Sequence, residues 1–425
     1  MPPVPPPATL SAAWRRIAAI DAQAYARTRN ALDGAVTGLS PWITHGVLSL
    51  PQVLAGIAAA QPPDRLLDGQ HKLVFELGWR AYFQHVWSHR GDAILQSLHE
   101  GPLPEAAYAH GVPQDVREAR TGVPVIDQAV RTLYTTGTLH NHARMWLASY
   151  LVHLRKIHWR SGAEWLIGHL LDGDVASNHL SWQWVAGTGS QKPYLFNADN
   201  VARFAPPAWH SPGTVVDVPY DLLDRIARRA RPVPTQPLAQ GVEEPPLLGD
   251  PPAATEFSAP DAALVHGRDV WLAHPWALGE VPVDLPPDTL VLGMAVSEVH
   301  HARPWNAARW QFVAERMAEL TPHRWQASAR DWRHALHGAR SVQTIGNLHL
   351  QRHLDTLATS RPEDTLFPAL ERPCTSFSQW WTRVSRTPSP ALLAALHPRL
   401  PGELHEPLDS RPARSGDRRP RWHRP

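Results

Sequence analysis

Cysteine is all but absent from this chain: Cys374 is the only one. That excludes a disulfide framework, a cysteine zinc site and a four-thiolate iron–sulfur cluster. Long apolar runs are absent too, since none approaches the roughly 18 residues of a membrane span. The opening residues, Met1-Pro-Pro-Val-Pro-Pro-Pro, lack the basic and apolar regions of a secretory signal. A soluble, cytoplasmic protein with no membrane contact, acting as a monomer, is the expectation. An excess of one charge is also missing. With Lys+Arg 41 against Asp+Glu 39 the formal net charge is +2, so any nucleic-acid contact has to come from a local patch.

Tryptophan and histidine are abundant instead, at 19 and 25 residues. The histidines invite a metal reading at His140-Asn-His142 and His300-His301. No acidic or thiol partners stand at ligand spacing, so no metal is expected. Indole packs well in cores, so the tryptophans count only by the company they keep. The 43 prolines gather in the first residues and from Pro206 onward, marking linkers and a loop-rich back half.

The front half has helical periodicity and no strand pattern before about residue 205. Trp14, Ile17, Ile20 and Ala24 predict a helix over Leu10–Tyr25. The small-residue turn Asp33–Trp42 places Thr37, Gly38 and Ser40 before a new helix. Its hydroxyls and free N–H groups suit phosphate or ribityl oxygens. A long helix is predicted over His71–His89, where Glu76, Trp79, Arg80 and Phe83 share one face. Acid, base and aromatic rings on one face suit a cleft wall. Two further helices run from Val125 to Leu154 and join near Gly137.

Behind them the Pro-rich residues 206–262 read as a linker with a short charged helix near Asp221–Arg231. Then the period changes. Asp269–Ala273 and Thr289–Met294 read as short buried strands and Ala307–Leu320 as a helix, with αβ alternation to about Leu350. The predicted organisation is multidomain: an all-α domain (1–205), a linker (206–262), a small α/β, Rossmann-like domain (263–390) and a basic, disordered tail (391–425). Arg411–Pro425 carries six arginines and one aspartate, a composition that adds non-specific phosphate affinity.

One stretch concentrates the chemistry: Asp172-Gly-Asp174, Asn178, Trp182 and Trp184. Upstream, Arg144 stands among Met145, Trp146 and Leu147. A cation in that company needs a carboxylate partner, and Asp172 and Asp174 are the candidates. Asn178 and Trp182 are four apart on one helical face, with Trp184 turned away from it. The Asn178 amide both donates and accepts, and Trp182 with Trp159 behind it makes an aromatic relay for single electrons. A flavin meets all three demands, because its ring nitrogens need a donor and acceptor and its reduced anion needs a cation.

Five motifs then recur in order: Thr37-Gly-Leu-Ser-Pro-Trp-Ile-Thr-His-Gly-Val-Leu-Ser49, Glu76-Leu-Gly-Trp79-Arg80, Thr121-Gly-Val-Pro-Val-Ile-Asp127, His140-Asn-His-Ala-Arg144-Met145 and Asp172-Gly-Asp174 through Trp184. Over about residues 20–205 the sequence resembles the photolyase/cryptochrome family. The resemblance implies an all-helical domain holding FAD in a U shape. It implies that Tyr25, Thr37, Leu39 and Ser40 hold phosphates and ribityl chain, and that Asn141, Arg144, Asp172, Asp174 and Asn178, with Arg80, hold the rest of the cofactor. Trp182 and Trp159 match the first two members of the family's photoreduction chain. No tryptophan stands at the third place, where Tyr108 is the nearest aromatic. Glu76, Trp79, Met145 and Trp184 match the pocket for a flipped-out pyrimidine dimer.

The implied activity is that of a deoxyribodipyrimidine photolyase, a carbon–carbon lyase. It would repair cyclobutane pyrimidine dimers in damaged DNA by light-driven electron transfer from reduced FAD. The alternatives are a cryptochrome-like blue-light photoreceptor without repair, and a flavin-binding relative without photochemistry. Departures from the family weigh against DNA contact rather than FAD. Ala81 replaces the acid after the Trp-Arg pair, His142 replaces a DNA-contacting basic residue, and the end of the flavin domain is shortened to Phe196–Phe204. The family's antenna domain is not at the front. Residues 264–350, above all Arg309-Trp-Gln-Phe-Val-Ala-Glu-Arg-Met317, resemble a diverged version of it, which implies circular permutation. Whether a second, antenna chromophore binds there is left open by the residues.

Overall fold

Helices form in the front half because apolar residues recur at three and four positions and polar caps stand at the breaks. A computed structural model describes residues 5–62 and 64–397. Helix α1 (Leu10–Ala18) starts at Thr9, whose hydroxyl accepts from the Ala12 N–H. Helix α2 (Ala22–Thr28) starts at Asp21, whose carboxylate accepts from the Ala24 N–H. The single helix expected over Leu10–Tyr25 is therefore two, because Asp21 competes for backbone N–H groups and caps a new start.

Helix α3 is short (Ser40–Thr44), and α4 (Leu50–Ala60) opens with a reciprocal Ser49–Gln52 capping box. Helix α5 (Lys72–Arg90) runs 19 residues. Helix α6 (Pro124–Thr136) stops at Gly137, whose φ of 65° suits a residue without a Cβ. Helix α7 (Asn141–Ser149) passes into a π-helical turn at Tyr150–Leu154. Helices α8 (Trp159–His169) and α9 (Val175–Ala186) complete the frame, and the Asp174 carboxylate caps α9 by accepting from the Ser177 N–H at 2.8 Å.

The back half carries a five-stranded parallel sheet of β1 (Asp269–Ala273), β2 (Leu290–Val296), β3 (Arg324–Ala327), β4 (Ser341–Ile345) and β5 (Thr359–Arg361). Its order is β3-β2-β1-β4-β5, with Val270 beside both Leu290 and Val342. The strand order reverses between β1 and β4, the doubly wound arrangement. Helix α10 (Ala307–Leu320) covers the sheet and supplies the buried Trp310, Phe312, Val313 and Met317.

From Pro206 to Glu244 the chain lies along the helical unit as a strap, after which Leu247 and Leu248 pair with Asn306 and Trp305, and Ser258 with Trp325, on the α/β side. The N–H groups of Val233, Leu238 and Val242 donate to the carbonyls of Leu154, Arg120 and Glu118. Glu244 accepts from Arg117 at 2.7 Å and from the Trp165 indole at 2.8 Å. The expected tail also starts later than its composition suggests. After α11 (Phe377–Arg386), Pro390–Leu396 form α12, with Leu392, Ala395 and Leu396 buried in the core that contains α4. The remainder of the basic tail, 398–425, lies outside the described residues.

Two apolar cores result. One joins α1–α5 to both faces of the sheet without a break, and the other gathers α6–α8 and the residues after α9. The sheet therefore shares its core with the first five helices, so the two units predicted from composition are packed as one body. Among the described residues no helix is long and apolar enough to cross a membrane.

Candidate functional site

A cavity of about 300 Å³ opens where the two cores meet, and a second of about 510 Å³ continues from it past Tyr25, Thr37, Ser40, Asn141 and Arg144. The turn before α3 contributes Thr37 and Ser40; α5 contributes Glu76 and Arg80; α7 contributes Asn141, Arg144 and Met145. Asp172, Asp174, Asn178 and Trp182 close the opposite wall. Most of the residues singled out in the sequence thus converge on one space, although they span about 160 positions of the chain.

Arg144 donates from Nη2 to both Asp172 oxygens, at 2.8 and 2.9 Å, and from Nε to the Leu139 carbonyl at 2.8 Å. Asp172 is nearly buried, with 8% of its side chain exposed, against 26% for Arg144. Such a pair is held by geometry and by its remaining hydrogen bonds rather than by net attraction. Its cation faces the cavity. Asp174 accepts from Gln84 Nε2 at 2.9 Å as well as from Ser177. Burial alone would push its carboxyl up; the Arg80 charge and the Ser177 N–H outweigh that and hold it below the ordinary range. Glu76 is 2.9 Å from Lys72 Nζ and 3.4 Å from Arg29 Nε. Asn141 Nδ2 lies 3.5 Å from Met145 Sδ.

Four expected site residues lie away from this space. Leu39 is fully buried, so only its backbone borders the turn. Trp159 lines a separate pocket. The Trp182 ring rests so closely on α8 that a Cβ on Gly162 would come within 2.3 Å of it. Trp184 is 40% exposed and faces Tyr194, at 5.7 Å between ring centroids. Trp79 is stacked on Phe377 of α11, 3.9 Å apart and 8° from parallel. Ser177 and Ser181 line the cavity without having been singled out. They are four apart, as Asn178 and Trp182 are, so the same helical spacing could have found them.

The α/β unit also reaches this site. Arg309 of α10 is wholly buried; it donates to the Gly173 carbonyl at 2.7 Å, between the two aspartates, and burial lowers its pKa to about 9. His349 Nε2 accepts from the Val175 N–H at 3.3 Å and lies 3.6 Å from Asp174 Oδ1. His45 spans both units, 2.9 Å from the Leu171 carbonyl and 2.5 Å from that of Pro275. No local pattern in the sequence announces these three contacts.

Asp172→Asn leaves the Arg144 guanidinium without its anion. The flavin-free protein is expected to lose about 3 kcal/mol of stability in urea denaturation, and the purified protein to retain far less flavin. An unchanged denaturation midpoint with full flavin content would show that the pair is dispensable.

The donor set matches a large anionic, planar ligand. Ser177 Oγ is buried without a protein partner. Asn178 Nδ2 donates to the Ala163 carbonyl at 2.9 Å, and its carboxamide oxygen has no protein donor among the described residues. The hydroxyls of Thr37 and Ser40 face the same opening from the far end. These groups fit the polar edge and the chain of a flavin nucleotide, with Arg144 supplying the cation.

Fold and cavity together define a helical flavin-binding unit packed against a parallel α/β sheet. Residues 73–208 match the family model described as the FAD binding domain of DNA photolyase. A deoxyribodipyrimidine photo-lyase from Synechococcus is 33% identical over 184 residues, covering 40% of this chain and 37% of that protein. A cryptochrome DASH from Idiomarina loihiensis is 33% identical over 169 residues, covering 39% of this chain and 38% of that protein. Among solved structures, a Synechocystis cryptochrome is 30% identical with a TM-score of 0.41, over 46% of this chain and 43% of that one. The chain spans less than half the length of these relatives. Over residues 73–208 the helical unit is thus similar to the photolyase/cryptochrome family, and FAD is the cofactor that the matched domain implies.

Proposed function

We propose that this protein is a light-driven photolyase acting on cyclobutane pyrimidine dimers in DNA. The observation that carries the reading is the single cavity wall on which the Arg144–Asp172 pair, Asn178 and Trp182 meet Glu76 and Met145. Reduced FAD supplies, on absorbing blue light, an electron that a dimer can take up and return as its ring splits. Arg144 balances negative charge at that wall, and its pairing with Asp172 keeps the guanidinium from swinging into the substrate space. Asn178 offers a carboxamide already anchored at Ala163 to the edge of the ring system. Glu76, held by Lys72 and Arg29, presents its carboxylate beside Met145 where an extruded base would enter. We read the α/β sheet as an antenna-type domain placed after the flavin unit.

One observation favours a second reading, a blue-light receptor without repair. Phe377 lies flat on the face of Trp79, the surface on which an incoming base would stack. Helix α11 adds Trp381 beside Gly78, where a Cβ would meet its ring at 2.6 Å, so this closure is tightly fitted. Blue illumination of the holoprotein with a thiol reductant and dimer-containing DNA separates the readings. Loss of dimers is the expected result. In Phe377→Ala, repair should rise several-fold if α11 competes with the substrate. Dimers that persist in both proteins while the flavin is reduced normally would overturn repair and leave the receptor.

A further inference from the structure

Buried indoles in this protein end their N–H groups in different ways. Those of Trp310 and Trp332 donate to backbone carbonyls, and that of Trp146 to the Asn200 amide oxygen. None of these acceptors can take a proton. Trp182 Nε1 has no protein acceptor among the described residues. Trp159 differs. Its ring is 3% exposed, and its Nε1–H donates to Ser97 Oγ at 3.0 Å. That hydroxyl in turn donates to Glu105 Oε1 at 2.6 Å, and the Glu105 side chain is 68% exposed. A buried indole N–H is thus joined by one hydroxyl to a carboxylate in water. Among the described residues only Trp165 also reaches a carboxylate, that of Glu244, and its surroundings are Tyr134 and His169 rather than Trp182.

The position of this chain of bonds gives it a use. Gly162, one turn into α8 from Trp159, is the residue against which the Trp182 ring lies. Among the described residues no third indole is in ring contact with Trp159, whose ring neighbours are His158 and His179. His158 is 5.7 Å away and Tyr108 meets His158 at 6.4 Å, while burial pushes the Tyr108 phenol up to about 12, so it stays protonated. An electron hole reaching Trp159 has no further ring in direct contact with a comparable donor, and a cationic indole in an apolar pocket is costly. Losing the Nε1 proton makes the hole neutral and blocks its return.

We propose that Ser97 and Glu105 form a proton outlet for Trp159. The inference rests on the relay reading of Trp182 and Trp159. The one-electron oxidant is the light-excited flavin. Trp182 loses an electron to it and is refilled by one from Trp159. The Trp159 cation gives its Nε1 proton to Ser97 Oγ as the Ser97 hydroxyl proton passes to Glu105 Oε1. The products are a neutral Trp159 radical, an intact serine and a protonated Glu105. A thiol at the surface later returns the electron, and the proton travels back along the same two bonds. Ser97 and Glu105 are consequently needed for long-lived charge separation but not for flavin binding.

The test is transient absorption of the flavin-loaded protein, which distinguishes the cationic from the neutral tryptophan radical. Wild type is expected to show conversion of cation to neutral radical, slowed in D2O. Ser97→Ala and Glu105→Gln should slow that conversion several-fold and lower the photoreduction yield, and Ser97→Thr should restore both. Neutral radical forming at the wild-type rate in both Ser97→Ala and Glu105→Gln overturns the outlet alone. Absence of any tryptophan radical in wild type overturns the relay and the outlet with it. A flavin-free readout is the Trp159 indole 1H–15N resonance, which should move in Glu105→Gln although Glu105 does not touch the ring. An unmoved resonance would break the proposed connection.

Discussion

Trp182→Phe is expected to abolish light-driven reduction of the bound flavin while leaving flavin content near the wild-type level. Trp182 is the indole on the cavity wall, 3% exposed, with Asn178 a helical turn before it. Phenylalanine fills most of the same space, so the wall and its hydrogen bonds survive. A benzene ring is much harder to oxidise than an indole, and Trp159 is not among the residues that line the cavity. Electron supply to the flavin should stop at its first step. The check is the visible spectrum under blue light with a thiol present. Trp159→Phe should be milder: an electron leaves Trp182 but comes straight back. Undiminished photoreduction in Trp182→Phe would mean that electrons reach the flavin by another route.

Acid should destabilise this protein unusually steeply. His153 and His274 are wholly buried and the His349 side chain is 7% exposed, and burial lowers them to about 4, 4 and 3 from an ordinary 6.5. His300 is driven well below that value by burial and by the Arg309 charge. Geometry agrees for two of them. His274 Nδ1 accepts from the Trp276 N–H and His349 Nε2 from the Val175 N–H, which only a neutral ring can do. These groups bind protons in the unfolded chain before they do so in the folded one. Their contribution is therefore fully present above 6.5 and is lost as pH falls toward the folded values. Four protons correspond to a slope on the order of 5 kcal/mol per pH unit around pH 5, against a total stability of about 5–15 kcal/mol. Urea midpoints followed by far-UV circular dichroism should fall sharply between pH 7 and pH 5. Equal midpoints would mean that these rings are already charged when folded.

Three of the four histidines, His274, His300 and His349, lie where the sheet meets the helical unit. Trp276 is held between His349 and His300, with ring centroids 4.5 and 6.0 Å away and both pairs close to parallel. Acid is thus expected to loosen the contact that also places Arg309 against the flavin-site loop.

Much of this could be read from the residues alone. Local periodicity depends on which side of a helix or strand is buried, so α5, α6, α7, α9, α10 and the first strands were legible to within a few residues. The flavin wall was legible for the same reason. Asn178 and Trp182 lie one turn apart on α9, and Arg144 in an apolar run demanded an anion. Where a local competitor was overlooked, as at Asp21, one predicted helix became two.

What remained hidden depends on contacts between residues far apart in the chain, which leave no period to detect. Gly173 is such a case. In the sequence it is the small residue between two aspartates, whereas in the structure a Cβ there would come within 2.4 Å of Arg309 Nη1, 136 residues later. Trp79 is another, its cleft-facing ring lying under Phe377 instead. The serine between Trp159 and Glu105 belongs to a loop that carries no motif. By itself the sequence determined a helical flavin wall and a parallel α/β unit, because burial patterns and unpaired charges act over a few residues. Only the tertiary structure decided that the sheet shares a core with the first helices, that Arg309 and His349 brace the flavin-site loop and that α11 closes one side of the cleft, because those outcomes follow from packing among segments that the chain brings together only when folded.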